Sequence, residues 1–127
     1  MSYIYFNPNP AGKKVGDCVI RAICKFTRQD WRNVYWRIAE QGAMLFDMPS
    51  SNNVWASYLR DLGYRRFVIS DSCPDCYSVK DFCIDYPVGR FLLATGSHVV
   101  TVIDGNYYDA WDSGNENPIY FWTKEFI

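Results

Sequence analysis

The hydrophobic positions change period part-way along the chain. In the first half they recur at helical spacing. Val19, Ala22, Ile23 and Phe26 fall at i, i+3, i+4 and i+7, and Asp17 stands just ahead of them as an N-cap. The same spacing predicts a second helix over 30–41, with Trp31, Val34, Tyr35 and Ile38 inward and Gly42 as its stop. A third is predicted over 52–62, with Val54, Trp55, Tyr58, Leu59 and Leu62 inward and Gly63 ending it. Trp31 and Trp55 are core residues on this pattern.

Beyond Gly63 the apolar runs become short. Residues 65–70 and 91–95 read as strands, 79–85 as a short helix stopped by Pro87, and 119–122 as a last strand. Residues 99–103 and 107–111 read as a hairpin around Asp104-Gly105-Asn106, residues that tolerate positive φ. Residues 3–6 are strand-like, and the two prolines and the glycine of 7–12 make a loop. Helices followed by a small antiparallel sheet predict an α+β fold. With no repeat or linker, 1–127 reads as one domain.

Composition narrows the function classes. A chain of 127 residues supports one core. The net charge is −1 and Lys and Arg are scattered, so the concentrated positive face that phosphate backbones require is missing, and no nucleic-acid partner is expected. No apolar run approaches a membrane span, and Met1-Ser2-Tyr3-Ile4-Tyr5-Phe6 lacks a basic segment ahead of an apolar one. The expectation is a cytoplasmic protein without a membrane partner. Five irregularly spaced cysteines agree with that location. Cys73-Pro74-Asp75-Cys76 with Cys83 offers three thiols where structural zinc takes four ligands, so these read as loop cysteines and no metal is expected.

Cys18 is the residue that suggests chemistry. It opens the first helix, where backbone N–H groups carry partial positive charge that favours a thiolate and can hold an oxyanion. The sequence contains one histidine, His98, at the start of a strand, so it is the only imidazole that could act as the base. The hairpin returns the chain towards His98. Asp112, at its outer end, is the first choice for the group that orients the imidazole, and Asp109, nearer the turn, is the second; a one-residue slip of register would change which of them shares the face of His98. Trp111, beside Asp112, is placed to shield that hydrogen bond from water and to line a substrate groove.

Gly16-Asp17-Cys18-Val19-Ile20-Arg21-Ala22, then His98-Val99-Val100-Thr101-Val102-Ile103-Asp104-Gly105, then Trp111-Asp112-Ser113-Gly114 together resemble the papain-like cysteine peptidases, most closely their compact bacterial and phage-associated members. The resemblance implies a papain-like fold and a Cys-His-Asp order in which Cys18 is the nucleophile, His98 the base and Asp112 the orienter. It implies a cofactor-free acyl-transfer hydrolase, of peptidase or amidase type, acting on a protein or peptide. The family places a glutamine about six residues before the cysteine as an oxyanion donor. Here that position is Gly12, which leaves Asn7 or, preferred, Asn9 to supply the amide. The alternative is a catalytically idle binding or effector protein on the same scaffold.

Overall fold

The computed structural model describes residues 2–70 and 76–124. Strands β1 (Ser2–Tyr5), β2 (Arg65–Val68), β3 (Arg90–Ala94), β4 (Val99–Ile103), β5 (Asn106–Asp109) and β6 (Tyr120–Thr123) form one sheet in the order β1-β5-β4-β3-β6-β2. The architecture is α+β. The sheet is mixed rather than antiparallel, because β1 returns to pair in parallel with β5.

Helices cover both faces. On one side, α1 (Cys18–Thr27), α2 (Trp31–Leu45) and α3 (Asn52–Asp61) bury Ile23, Phe26, Val34, Ile38, Trp55 and Leu59 against Leu92, Ala94, Val99 and Trp122. On the other, α4 (Val79–Asp85) packs Val79, Phe82 and Cys83 against Phe91, Leu93, Val100 and Val102. Alternate residues of β3 and β4 therefore serve opposite cores, as the period of two requires. This is why both strands read as continuous apolar runs.

Several boundaries differ from the expected ones. Helix α2 runs through Gly42 and stops at Phe46, which takes the left-handed conformation (φ 54°). Gly42 instead allows close approach: a Cβ there would lie 2.8 Å from the Asp47 carbonyl oxygen. Tyr35 and Leu62 are partly exposed rather than inward. The hairpin turn holds two residues, Asp104 (φ 49°) and Gly105 (φ 78°), so β5 begins one residue earlier than expected, at Asn106. No helix among the described residues is long and apolar enough to cross a membrane.

Candidate active site

Cys18 is the first residue of α1, the helix that lies across β3, β4 and β5. Asp17 precedes it but gives the helix no side-chain cap, contrary to expectation. Its carboxylate is drawn elsewhere. Oδ1 accepts from Arg21 Nη1 at 2.7 Å, one turn along the helix, and Oδ2 accepts from the Trp31 indole at 2.8 Å. The first-turn N–H groups ahead of Arg21 are thus left without that side-chain acceptor, beside the thiol.

His98 ends the tight turn between β3 and β4. Thr95 holds its backbone on both sides: the Thr95 hydroxyl accepts from the His98 N–H at 2.9 Å, and the Thr95 N–H donates to the His98 carbonyl at 2.8 Å. The imidazole is buried, with Nε2 at 2.5 Å from Asp109 Oδ2. The Cys18 thiol lies near enough to the same ring, and to the Val99 N–H, for both to favour its ionised form. Because Nε2 faces the carboxylate, Nδ1 is the nitrogen left for the sulfur.

Asp109, rather than Asp112, orients His98, and the hairpin register is the reason. The two-residue turn pairs Ile103 with Asn106, Val102 with Tyr107 and Thr101 with Tyr108. Continued past the last paired residues, this register sets His98 across from Trp111, and their ring centroids lie 4.7 Å apart. Asp109 is two residues from Trp111 and shares its side of the strand. A three-residue turn would have set Asp112 across from His98. Instead the chain bends after Asp109, and Asp112 accepts from the Tyr107 hydroxyl at 2.5 Å and the Gly114 N–H at 3.1 Å. Those two donors hold the Asp112 carboxyl below its ordinary range.

The Asp109 carboxylate is saturated. Besides His98, Oδ2 accepts from the Ser113 hydroxyl at 2.6 Å, while Oδ1 takes Arg21 Nε at 3.1 Å, Arg21 Nη2 at 2.9 Å and the Ala110 N–H at 2.8 Å. The result is a buried row of alternating charge: Asp17, Arg21, Asp109, His98 and Cys18. Only 6% of Arg21 and 1% of Asp109 is exposed, so the row is held in a medium that screens poorly.

The row sets the proton affinities. Burial alone would depress the His98 imidazolium, but its hydrogen bonds to Asp109 and Cys18 and their charges outweigh burial and push it up to about 9. Burial likewise opposes the Cys18 thiolate, yet the hydrogen bond and charge of His98, the Val99 N–H and the charge of Arg21 hold Cys18 below the ordinary thiol value. Asp109 is held low against its burial by hydrogen bonds from His98 and Ser113 and by the charges of His98 and Arg21. The other free cysteines differ: burial pushes Cys24 up to about 12 and Cys83 up to about 11.

The remaining expected site residues lie elsewhere. Asn9, the expected oxyanion donor, does not line the cavity beside the thiol; its Oδ1 accepts from the N–H groups of Ala11 and Lys13, closing its own loop. Asn7 Nδ2 donates to the Lys13 carbonyl in that loop. Trp111 covers the His98 ring without lining the cavity. Cys76 is disulfide-bonded rather than an incidental thiol, and Cys73 lies outside the described residues. No group of three His, Cys, Asp or Glu among the described residues is placed to hold a metal. Arg21, Ser113 and Trp31 were not expected in the site. Of these only Arg21 carried a sequence signal, the Asp17–Arg21 spacing of i, i+4 on one helix.

A cavity of about 400 Å³ opens beside Cys18 and His98, bounded by α1, α2, the start of α3 and the β3–β4 turn. Comparison with protein-family models, with curated proteins and with solved structures finds no match to this chain.

Proposed function

We propose that this chain is a cysteine-dependent acyl-transfer hydrolase of papain-like type, acting on an amide or ester bond in a protein or peptide. One observation carries the reading. A thiol at a helix N-terminus and an imidazole line one cavity large enough for a substrate, and the imidazole is hydrogen-bonded on its far side to a buried carboxylate.

The chemistry follows from the proton affinities. With Cys18 lowered and His98 raised, transfer of the thiol proton to the imidazole is favoured, and the product is a thiolate–imidazolium pair. The sulfur attacks the carbonyl carbon, and the negative charge moves to the carbonyl oxygen, which the first-turn N–H of Cys18 is positioned to receive. Collapse of this intermediate breaks the bond to the leaving group, which takes its proton from His98. Water, deprotonated by His98, then releases the acyl group from sulfur. Asp109 keeps the ring oriented and its Nε2 protonated throughout.

The alternative, an idle binding protein on the same scaffold, draws on one observation: Asn9, expected to complete the oxyanion hole, does not line the cavity beside the thiol. Iodoacetamide separates the two. The active reading expects Cys18 to be alkylated at neutral pH faster than Cys24 and Cys83, and His98→Ala to slow it at least about tenfold. Equal rates for the three thiols, or a rate indifferent to His98→Ala, would leave the idle reading.

A further inference from the structure

The cavity beside Cys18 has walls that say what it can hold. Val19, Ile20, Ile38, Trp55, Val99 and Tyr120 supply apolar surface on several sides. Besides Cys18, two residues that border it carry charge. One is His98, the base itself. The other is Asp17, whose carboxylate oxygens are both committed, to Arg21 and to Trp31. No lysine or arginine among the described residues borders the space, so apart from the base, already committed to Asp109, nothing described there would compensate a charged substrate group removed from water.

The polar lining comes from the turn that carries the base and from the start of α3. Thr95, Gly96 and Ser97 form the turn that carries His98, and Asn52 accepts from the Trp55 indole at 3.0 Å, which fixes both side chains. The lining therefore joins polar groups beside the base to a larger share of apolar side chains. Its volume lies in the range of about 300–1,000 Å³ usual for small-ligand sites, far more than an acetyl group needs.

Resting on the acyl-transfer reading above, we propose that this cavity receives the acyl side of the substrate and selects an uncharged, apolar group, aromatic or branched. The group enters as part of the bond to be cut. Its carbonyl carbon becomes bonded to Cys18 sulfur as the leaving group departs with a proton from His98, and its apolar part stays in the cavity until water releases it as a carboxylic acid. Transfer of that apolar surface out of water favours the group throughout, while a charged acyl group would lose hydration with no partner.

Three p-nitrophenyl esters test this, with the acyl group as acetyl, 3-phenylpropanoyl or succinyl, each corrected for the rate with Cys18→Ala. The expected result is a kcat/KM for phenylpropanoyl at least about tenfold above acetyl, and succinyl at or below acetyl. Ala39→Phe, which adds a ring from α2 into the cavity, should bring the phenylpropanoyl-to-acetyl ratio close to one. Tyr35→Ala, at a partly exposed wall position, should lower the ratio without threatening the fold. Equal rates for the three esters, or a preference for succinyl, would overturn the pocket assignment while leaving the nucleophile in place. If no ester acylates Cys18 although iodoacetamide still labels it rapidly, both the pocket and the acyl-transfer reading fail.

Discussion

Replacing Asp109 by asparagine removes one negative charge from the buried row and changes its shape little. The carboxylate lies 2.5 Å from His98 Nε2 and 2.9 Å from Arg21 Nη2. Two unit charges about 4 Å apart at an effective dielectric of about 20 interact by about 4 kcal/mol, equivalent to about three pH units of proton affinity. The amide oxygen of asparagine can still accept from Nε2 and retains part of this, so a fall of about one to two units in His98 is expected. A weaker imidazolium stabilises the thiolate less. The acid limb of the pH profile for Cys18 alkylation should therefore move up by about one unit or more, and the rate below that limb should fall about tenfold per unit. Arg21 keeps Asp17, so the loss of folding stability should sit near the lower end of the 3–5 kcal/mol typical for a broken buried pair, about 3 kcal/mol by urea unfolding. Asp112→Asn is the control: its carboxylate meets Tyr107 and Gly114 rather than His98, so the profile should stay in place. An unmoved acid limb in Asp109→Asn, or an equal displacement in Asp112→Asn, would refute the assignment of the orienting residue.

Arg21→Gln should cost about 3–5 kcal/mol in urea unfolding, because it leaves Asp17 and Asp109 buried without the cation between them; it should also raise the acid limb of Cys18 alkylation, and Arg21→Lys should recover only part of both effects. In Cys18→Ser the thiol no longer titrates, and His98 remains raised by Asp109. Its contribution to stability is then complete below the ordinary histidine value of about 6.5 and is lost as pH rises through the folded value. The urea midpoint of that variant should fall between neutral and alkaline pH, and His98→Gln in the same background should flatten the decline. Gly42→Ala should lower stability by about 1–3 kcal/mol, since the new Cβ would meet the Asp47 carbonyl at 2.8 Å, whereas at an ordinary helix position the change would stabilise.

Helix α1 and the position of Cys18 were legible because Ala22, Ile23 and Phe26 bury on one periodic face. His98 was legible because the chain has no other imidazole. The orienting carboxylate was not settled, because the length of one turn decides it. Asp104-Gly105-Asn106 allows a two- or a three-residue loop, and the difference of one residue exchanges Asp112 for Asp109. Asp17 misled for a related reason. Aspartate before a helix is ordinarily a cap, but here the Arg21 guanidinium one turn on takes the carboxylate. The stop of α2 was misplaced because Gly42 resembles a C-terminal signal, while the left-handed residue is Phe46, which local preference would not select. Ser113, Trp31 and the parallel pairing of β1 with β5 depend on contacts distant in sequence, which no local pattern encodes.

The central claim is that Cys18 becomes acylated. Brief incubation with p-nitrophenyl 3-phenylpropanoate, acid quenching and peptide mapping by mass spectrometry would test it directly. The account predicts the acyl mass on the peptide holding Cys18, absent after Cys18→Ala and reduced after His98→Ala, with the peptides of Cys24 and Cys83 unmodified. Acylation spread over the three thiols, or none on Cys18 in the native protein, would contradict it.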